Sequence, residues 1–384
     1  MIPYGRHDIT ADDIAAVEAV MRSDFLTQGP AVPALEAAIS EYCDVSHAVA
    51  VNSATSGLHI ACLALGLAAG DLLWTVPITF VASANCGLYC GADIDFVDID
   101  PATWNIDPAA LESKLEIAQA RGRLPKIIVA VHFTGRSADM RAIREMTRKY
   151  GVKLIEDASH AIGGDYLGAR IGNCAYCDIA VFSLHPVKII TSGEGGLCMT
   201  KDAALAEAMR LYRSHGITRD VSRFQHDDAP WYYEQQALGF NYRLTDIQAA
   251  LGLSQLRRIN AYVDSRHELK RRYDDHLSGL PLQLPAPERN GRSALHLYVL
   301  KVDTKRAGVS RRLVFERMRQ AGIGVNVHYV PVHLQPEYRK RGFAAGNFPV
   351  AEAYYNEAIT IPLFPTLTIE DQDKVIAALK DALA

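Results

Sequence analysis

DIAVFSLHPVKIITSGEGGLCMT, residues 178–200, joins two short apolar runs through a segment that carries one lysine and a glycine cluster. Residues 179–182 and 196–200 have the length and β-branched content of buried strands. Between them Gly193-Glu-Gly-Gly196 lets the chain turn sharply. Lys188 lies after the first run and before that turn. A lysine so placed is either a surface residue beside a turn, as most such lysines are, or an amine held to form a Schiff base. The second reading requires partners elsewhere in the chain.

Working outward, apolar runs recur at 47–51, 72–76, 95–98, 126–131 and 152–156, with helical spacing between most of them. This alternation, from about residue 45 to 215, is the signature of a parallel sheet with crossover helices. Upstream, Thr10 would cap a helix over 10–21 in which Ile14, Val17 and Met21 share a face that needs something to pack on. Residues 218–240 break the pattern with charges and aromatics and read as an exposed loop or hairpin. Residues 245–277 read as one or two long helices striped by Ile247, Leu251, Leu256 and Ile259. A strand at 295–302, a helix near 310–321 and a further extended run at 323–329 make a compact α+β unit. The expected division is an N-terminal segment and large domain over 1–261 and a small C-terminal domain over 262–384.

Composition narrows the function. The 384 residues are 49% apolar and 22% charged, which are globular values, and no run reaches the roughly 18 apolar residues of a membrane span. Net charge is -4 with neither sign gathered into a block, so neither nucleic acid nor a membrane surface is an expected partner. MIPYGRHDIT lacks the apolar stretch of a secretory signal, and a cytoplasmic location is expected. The seven cysteines suit that compartment; Cys174-Ala-Tyr-Cys177 has no second ligand pair at similar spacing, and no metal site is expected.

An aldehyde cofactor such as pyridoxal phosphate would demand an anion cradle, a carboxylate for its ring nitrogen and a flat surface against its ring. Val51-Asn-Ser-Ala-Thr-Ser-Gly57 leads from a strand into a helical stretch, so free backbone N–H groups and the Thr55 and Ser56 hydroxyls would meet an anion there. The plainer reading is a serine N-cap. The dipole contributes only about 0.3–1 kcal/mol, so oriented donors would supply most of the affinity. Asp157 stands just past the end of a buried strand, where open α/β sheets place their crevice; it could hold a ring nitrogen or cap the next turn. Phe80, in Pro77-Ile-Thr-Phe80, is a stacking face or a core residue.

Taken together these stretches resemble the fold-type I, pyridoxal-phosphate-dependent nucleotide-sugar aminotransferases of the DegT/DnrJ group. The resemblance is carried by Leu26-Thr-Gln-Gly29, Asn52-Ser-Ala-Thr-Ser56, Pro77-Ile-Thr-Phe80, Glu156-Asp-Ala-Ser-His160, Phe182-Ser-Leu-His-Pro-Val-Lys188 with Gly193-Glu-Gly-Gly196, Arg213-Ser-His-Gly216, Gly239-Phe-Asn-Tyr-Arg-Leu244 and Val327-His-Tyr-Val-Pro331. They span nearly the whole chain in family order. What the resemblance implies is an α/β, aspartate-aminotransferase-like fold: a three-layer α/β/α large domain with a mostly parallel sheet, plus a smaller α+β C-terminal domain. It implies that Lys188 binds pyridoxal 5'-phosphate covalently, that Asp157 meets the pyridine nitrogen, and that Ala54, Thr55 and Ser183 help hold the phosphate. His160 would lie near the ring and Phe80 would stack on it. Asn241 would complete the phosphate pocket of a second subunit, making a homodimer whose loop before residue 240 crosses the interface. Some relatives carry histidine at the lysine position and act as dehydratases, so Lys188 favours transamination. At Ile189 relatives often have Asn or Pro.

Within the group, NSATS, PITFVASANCGLYCGADIDFVDID and FSLHPVK are most similar to the transaminases of pseudaminic acid synthesis. That similarity implies transfer of the amino group of L-glutamate to C4 of UDP-2-acetamido-2,6-dideoxy-β-L-arabino-hex-4-ulose, a UDP-linked 4-keto sugar. Sugar-nucleotide contacts would come from Tyr4, from the turn Asp24, Phe25, Leu26 and Thr27, and from Asn326, Val327, His328 and Tyr329. Tyr4 could instead anchor the N-terminus, and His328 could be a structural histidine. Three other readings stand beside this one: a sibling aminotransferase for a dTDP- or GDP-linked keto sugar, a non-catalytic regulator that keeps the fold and binds the cofactor, and an amino-acid-only aminotransferase or lyase of the same fold, which would need an arginine for a second carboxylate.

Overall fold

The computed structural model describes residues 1–226 and 229–384. Two helices, α1 (Ala11–Met21) and α2 (Ala31–Cys43), precede β1 (His47–Val51). There follow α3 (Ala54–Ala64), β2 (Leu72–Thr75), α4 (Ala82–Tyr89), β3 (Asp93–Phe96), α5 (Pro108–Ala120), β4 (Ile127–Val131), α6 (Met140–Lys149) and β5 (Lys153–Asp157). A small hairpin, β6 (Asp165–Tyr166) and β7 (Ala169–Arg170), leads to β8 (Ile179–Ser183), β9 (Gly196–Thr200) and α7 (Ala203–Arg213). Seven of these strands form one sheet in the order β1-β9-β8-β5-β4-β2-β3. Its pairs are parallel except that β9 runs against both of its neighbours. Ile-Ile-Val-Ala-Val at β4 and Ile-Ala-Val-Phe-Ser at β8 are buried along their whole length, which is why they read as continuous apolar runs rather than alternating ones.

Strand ends shift slightly from expectation. β3 begins at Asp93, before the expected 95, and β5 takes in Asp157 as its last residue rather than leaving it just beyond. The first helix departs further. Ile14 and Met21 are 61% and 64% exposed, and the residue α1 buries is Asp13. The Asp13 carboxylate accepts from the Thr10 backbone N–H (2.9 Å), Gln255 Nε2 (2.8 Å) and Arg258 Nη2 (2.6 Å), so α1 docks through a polar anchor and not through its apolar face.

The segment after α7 forms a short hairpin, β10 (Ile217–Thr218) with β11 (Glu234–Gln235); residues 227 and 228 of the expected loop lie outside the described residues. Two helices follow, α8 (Asp246–Leu256) and α9 (Ile259–Leu277). Leu256 and Ile259 of the expected stripe are buried, but Ile247 and Leu251 are only half-buried; α8 packs on α2, with Gly252 against Leu35. α9 begins in the core of the large sheet with Ile259, Tyr262 and Val263 and ends in a second core with Leu269, Tyr273 and Leu277. That second core lies on a three-stranded antiparallel sheet, β12 (Leu282–Gln283), β13 (Tyr298–Val302) and β14 (Ala358–Ile361), with helices Arg311–Gln320 and Ile369–Leu383. The extended run at 323–329 is not a strand: it pairs only through single bridges, Ile2 with Ile323 and Asn326 with Thr360. At the join, Arg266 is buried and its Nη1 donates to the carbonyls of Leu295, His296 and Leu363. Burial pulls its guanidinium down to about 9. Among the described residues no helix is long and apolar enough to cross a membrane.

One buried carboxylate ties α8 to α2. α2 starts after Pro30 with no side-chain cap of its own, and Asp246 supplies the missing acceptor from outside: its oxygens take the N–H groups of Gly29 (2.7 Å), Ala31 (2.7 Å) and Val32 (3.3 Å). Such bonds to a carboxylate are roughly twice as strong as neutral ones. Asp246→Ala is therefore expected to cost about 2–4 kcal/mol, since three donors lose their acceptor; Asp246→Asn should cost less. Thermal and urea unfolding of the two variants check this.

Candidate active site

Because β1, β5 and β8 run the same way, they end at one edge of the sheet, and a cavity of about 680 Å³ opens there. β9 returns antiparallel beside β8, so the connecting loop with Lys188 must lie at that same edge. Gly196 pairs with both Val51 and Ser183; a Cβ on it would meet the Ala54 nitrogen at 2.6 Å, so only glycine lets β9 start beneath the first turn of α3. Ser53 caps that turn by accepting from the Ser56 N–H at 3.1 Å. The Ala54 and Thr55 N–H groups precede any intrahelical acceptor and are free to meet an anion, as helix starts do. Ala54, Thr55 and Ser183 all line the cavity.

Asp157, at the end of β5, is buried. Its Oδ2 accepts from Ser83 Oγ at 2.6 Å and its Oδ1 from the Ser159 N–H at 3.2 Å. Lys188 shares the cavity with it. Burial pulls the Lys188 amine down to about 8, with the Asp157 charge opposing part of that fall. Among the described residues the amine has no hydrogen-bond or ion-pair partner.

Three imidazoles surround the lysine. His160 is buried, with Nε2 3.1 Å from the Tyr329 hydroxyl and Nδ1 without a partner among the described residues. Burial, then the Lys188 charge, holds it well below the ordinary histidine range. Its ring lies 4.4 Å from that of His296. His328 is pushed down to about 3 by burial and by Lys188, and its Nδ1 lies 2.8 Å from Thr360 Oγ1. All three are therefore neutral at physiological pH, and only Lys188 of this group can exchange a proton there.

Tyr4, Asn326, Val327, His328, Tyr329 and Phe80 complete the predicted set on the cavity wall. Backbone bonds from Gly324 to Ile2 and from Leu363 to Tyr4 fasten the N-terminus, leaving the Tyr4 ring 5.4 Å from His328. Phe80 stands at the mouth, 59% exposed, with its ring 6.3 Å from Tyr329. The remaining predicted residues are elsewhere. Asp24, Phe25, Leu26 and Thr27 are exposed beside the start of α8, where Thr27 bridges Thr245, and Asn241 is exposed and bridges Ser214. Neither group belongs to the cavity wall of its own chain.

Sequence reasoning missed Thr79, His185, Glu194 and His296 on the wall and Ser83 behind it. A hydroxyl four residues from another at the start of a helix is a weak signal that could have found Ser83. His296 lies in an apolar run, Leu295-His-Leu-Tyr298, and carried none.

The donor set suits pyridoxal phosphate: free N–H groups at a helix start for the phosphate, a buried carboxylate for the ring nitrogen, and an unpaired amine between them. Comparison with known proteins agrees. A profile of the DegT/DnrJ/EryC1/StrS aminotransferase family matches residues 7–380. The spore coat polysaccharide biosynthesis protein SpsC of Bacillus subtilis (strain 168) is 37% identical over 383 residues, covering 99% of this chain and 96% of SpsC. Helicobacter pylori PseC, an aminotransferase involved in the biosynthesis of pseudoaminic acid, superposes with a TM-score of 0.91 at 30% identity over 100% of this chain and 99% of its own. Spr1654 of Streptococcus pneumoniae, solved in its PLP form, gives 0.89 at 28% identity over 100% and 98%. The chain belongs to the DegT/DnrJ/EryC1/StrS aminotransferase family and is a fold-type I sugar aminotransferase that works with pyridoxal 5'-phosphate.

Proposed function

We propose that the chain transfers the amino group of L-glutamate to C4 of UDP-2-acetamido-2,6-dideoxy-β-L-arabino-hex-4-ulose, on a route to pseudaminic acid. The observation that carries this reading is the likeness to H. pylori PseC along the whole chain, at a TM-score of 0.91. The same reading has the enzyme work in the cytoplasm as a homodimer, each chain divided into two domains near residue 262. Trp231 and Leu238, each 81% exposed, and the exposed Phe25 and Leu26 give a second copy an apolar surface to cover. Asn241, exposed next to the Phe240 and Tyr242 rings, would reach the phosphate of that second copy.

Bound in the cavity, the cofactor supplies an electrophilic carbon and a ring that takes up an electron pair. The chain's own residues do the rest. The Ala54 and Thr55 N–H groups and Ser183 would hold the phosphate, and Asp157 would keep the ring nitrogen protonated through a charge-assisted bond of about 1.5–3 kcal/mol. Phe80 and His160 confine the ring. Lys188 is the residue that would hold the cofactor's electrophilic carbon covalently. Before the cofactor binds, its amine, pulled to about 8, is neutral in roughly a tenth of molecules at pH 7, against well under a thousandth for an ordinary lysine. It moves the proton at glutamate Cα and, in the return half-reaction, delivers one to sugar C4. Tyr4, the turn from Asp24 to Thr27, and Asn326 to Tyr329 meet the sugar nucleotide.

Borohydride reduction of the holoprotein followed by digestion should leave a pyridoxyl adduct on the peptide holding Lys188 and none in Lys188→Ala. Capture of cofactor by the apoprotein should quicken about tenfold per pH unit below pH 8 and level off above it, the behaviour of an amine that reacts only when neutral. In a panel of 4-keto sugars, the UDP-linked substrate should turn over at least about tenfold faster than dTDP- or GDP-linked ones; equal rates would overturn the substrate assignment. Asn241→Ala should weaken cofactor binding by about tenfold, one hydrogen bond to a charged group, while sedimentation still reports a dimer.

A further inference from the structure

Two hydroxyls stand in line behind Asp157. Ser83, the second residue of α4, gives its hydroxyl proton to Asp157 Oδ2 at 2.6 Å, and its oxygen lies 2.7 Å from Thr79 Oγ1. Asp157, Ser83 and Thr79 are 6%, 0% and 4% exposed, so water does not compete for these bonds. A serine hydroxyl has a single proton. With that proton on the carboxylate, the Ser83 oxygen can only accept, and the Thr79 hydroxyl must donate. The line therefore runs one way, from Thr79 through Ser83 to Asp157. It is also long in the fold: the connection after β2 reaches the end of β5 across the intervening β4.

We infer that Thr79 and Ser83 are positioning residues that keep Asp157 ionised and thereby keep the proton on the cofactor's ring nitrogen. The inference rests on the reading that Asp157 faces that nitrogen. A carboxylate oxygen already holding a hydroxyl proton is a weaker base than a bare one. In a dry site a charged pair and its neutral counterpart, with the proton moved onto the carboxyl, lie close in energy. A donor behind the carboxylate tips that balance toward the charged pair. The second hydroxyl polarises the first and strengthens its hold. The Asp157 charge acts on Lys188 and Tyr329, and the substitutions below leave both in place.

The test is 15N NMR of holoenzyme loaded with ring-labelled pyridoxal phosphate, which separates a protonated from an unprotonated ring nitrogen. Wild type should give the protonated signal. Ser83→Ala should move it toward the unprotonated position, Ser83→Thr should restore it, and Thr79→Val should move it the same way by less. In Ser83→Ala the glutamate half-reaction should slow about tenfold with KM nearly unchanged. A Ser83→Ala holoenzyme with full cofactor content and an unmoved nitrogen signal overturns the inference. Where Ser83→Ala loses cofactor or folds poorly, Thr79→Val decides alone, and an unmoved signal there is equally fatal. Asp157→Ala serves a separate purpose: a nitrogen still protonated in that variant overturns the placement of Asp157 itself, whatever the hydroxyls do.

Discussion

The reversal of one strand holds the site together. In an all-parallel sheet the connection after β8 would leave as a crossover and return at the far edge. Here β9 comes back antiparallel and pairs with both β8 and β1, so the twelve-residue connection between Ser183 and Gly196 is pinned at three strand ends. The amine of Lys188, the start of α3 and the carboxylate at the end of β5 then face one volume without any of them relying on a long flexible loop. Gly196 makes this possible, because β9 passes too close to the α3 backbone for any side chain.

Within that volume the electrostatics are sorted by burial. Burial removes charge from His160, His296 and His328 and lowers Lys188 only part of the way, because Asp157 opposes the fall. Asp157 in turn is supported by donors on both oxygens. Desolvation thus acts on the lysine and the three imidazoles alike, and the Asp157 charge opposes it at Lys188.

Much of this was legible in the sequence, for identifiable reasons. A strand covered on both faces leaves an unbroken apolar run, so β4 and β8 were plain, and residues at the ends of such runs, Asp157 and Lys188, pointed to the crevice. Ser83 was not legible because its partner is far away in the chain and its role exists only once β2 and β5 are separated by β4. Periodicity showed that Ile14 and Met21 share a face of α1 but could not show that Asp13 makes the contact. The alternation at 323–329 imitated a strand, yet without a continuous neighbour only single bridges formed.

The arginine at the join of the two cores has a consequence for how the chain is made. Arg266 emerges from the ribosome well before its acceptors, whose carbonyls belong to residues 295, 296 and 363. A guanidinium sealed in without them would cost several kcal/mol, so the nascent helix keeps that cation in water until the late segment arrives. Closure of the joint is thereby tied to completion of translation, and a product cut short before residue 363 would remain recognisably unfinished at that seam.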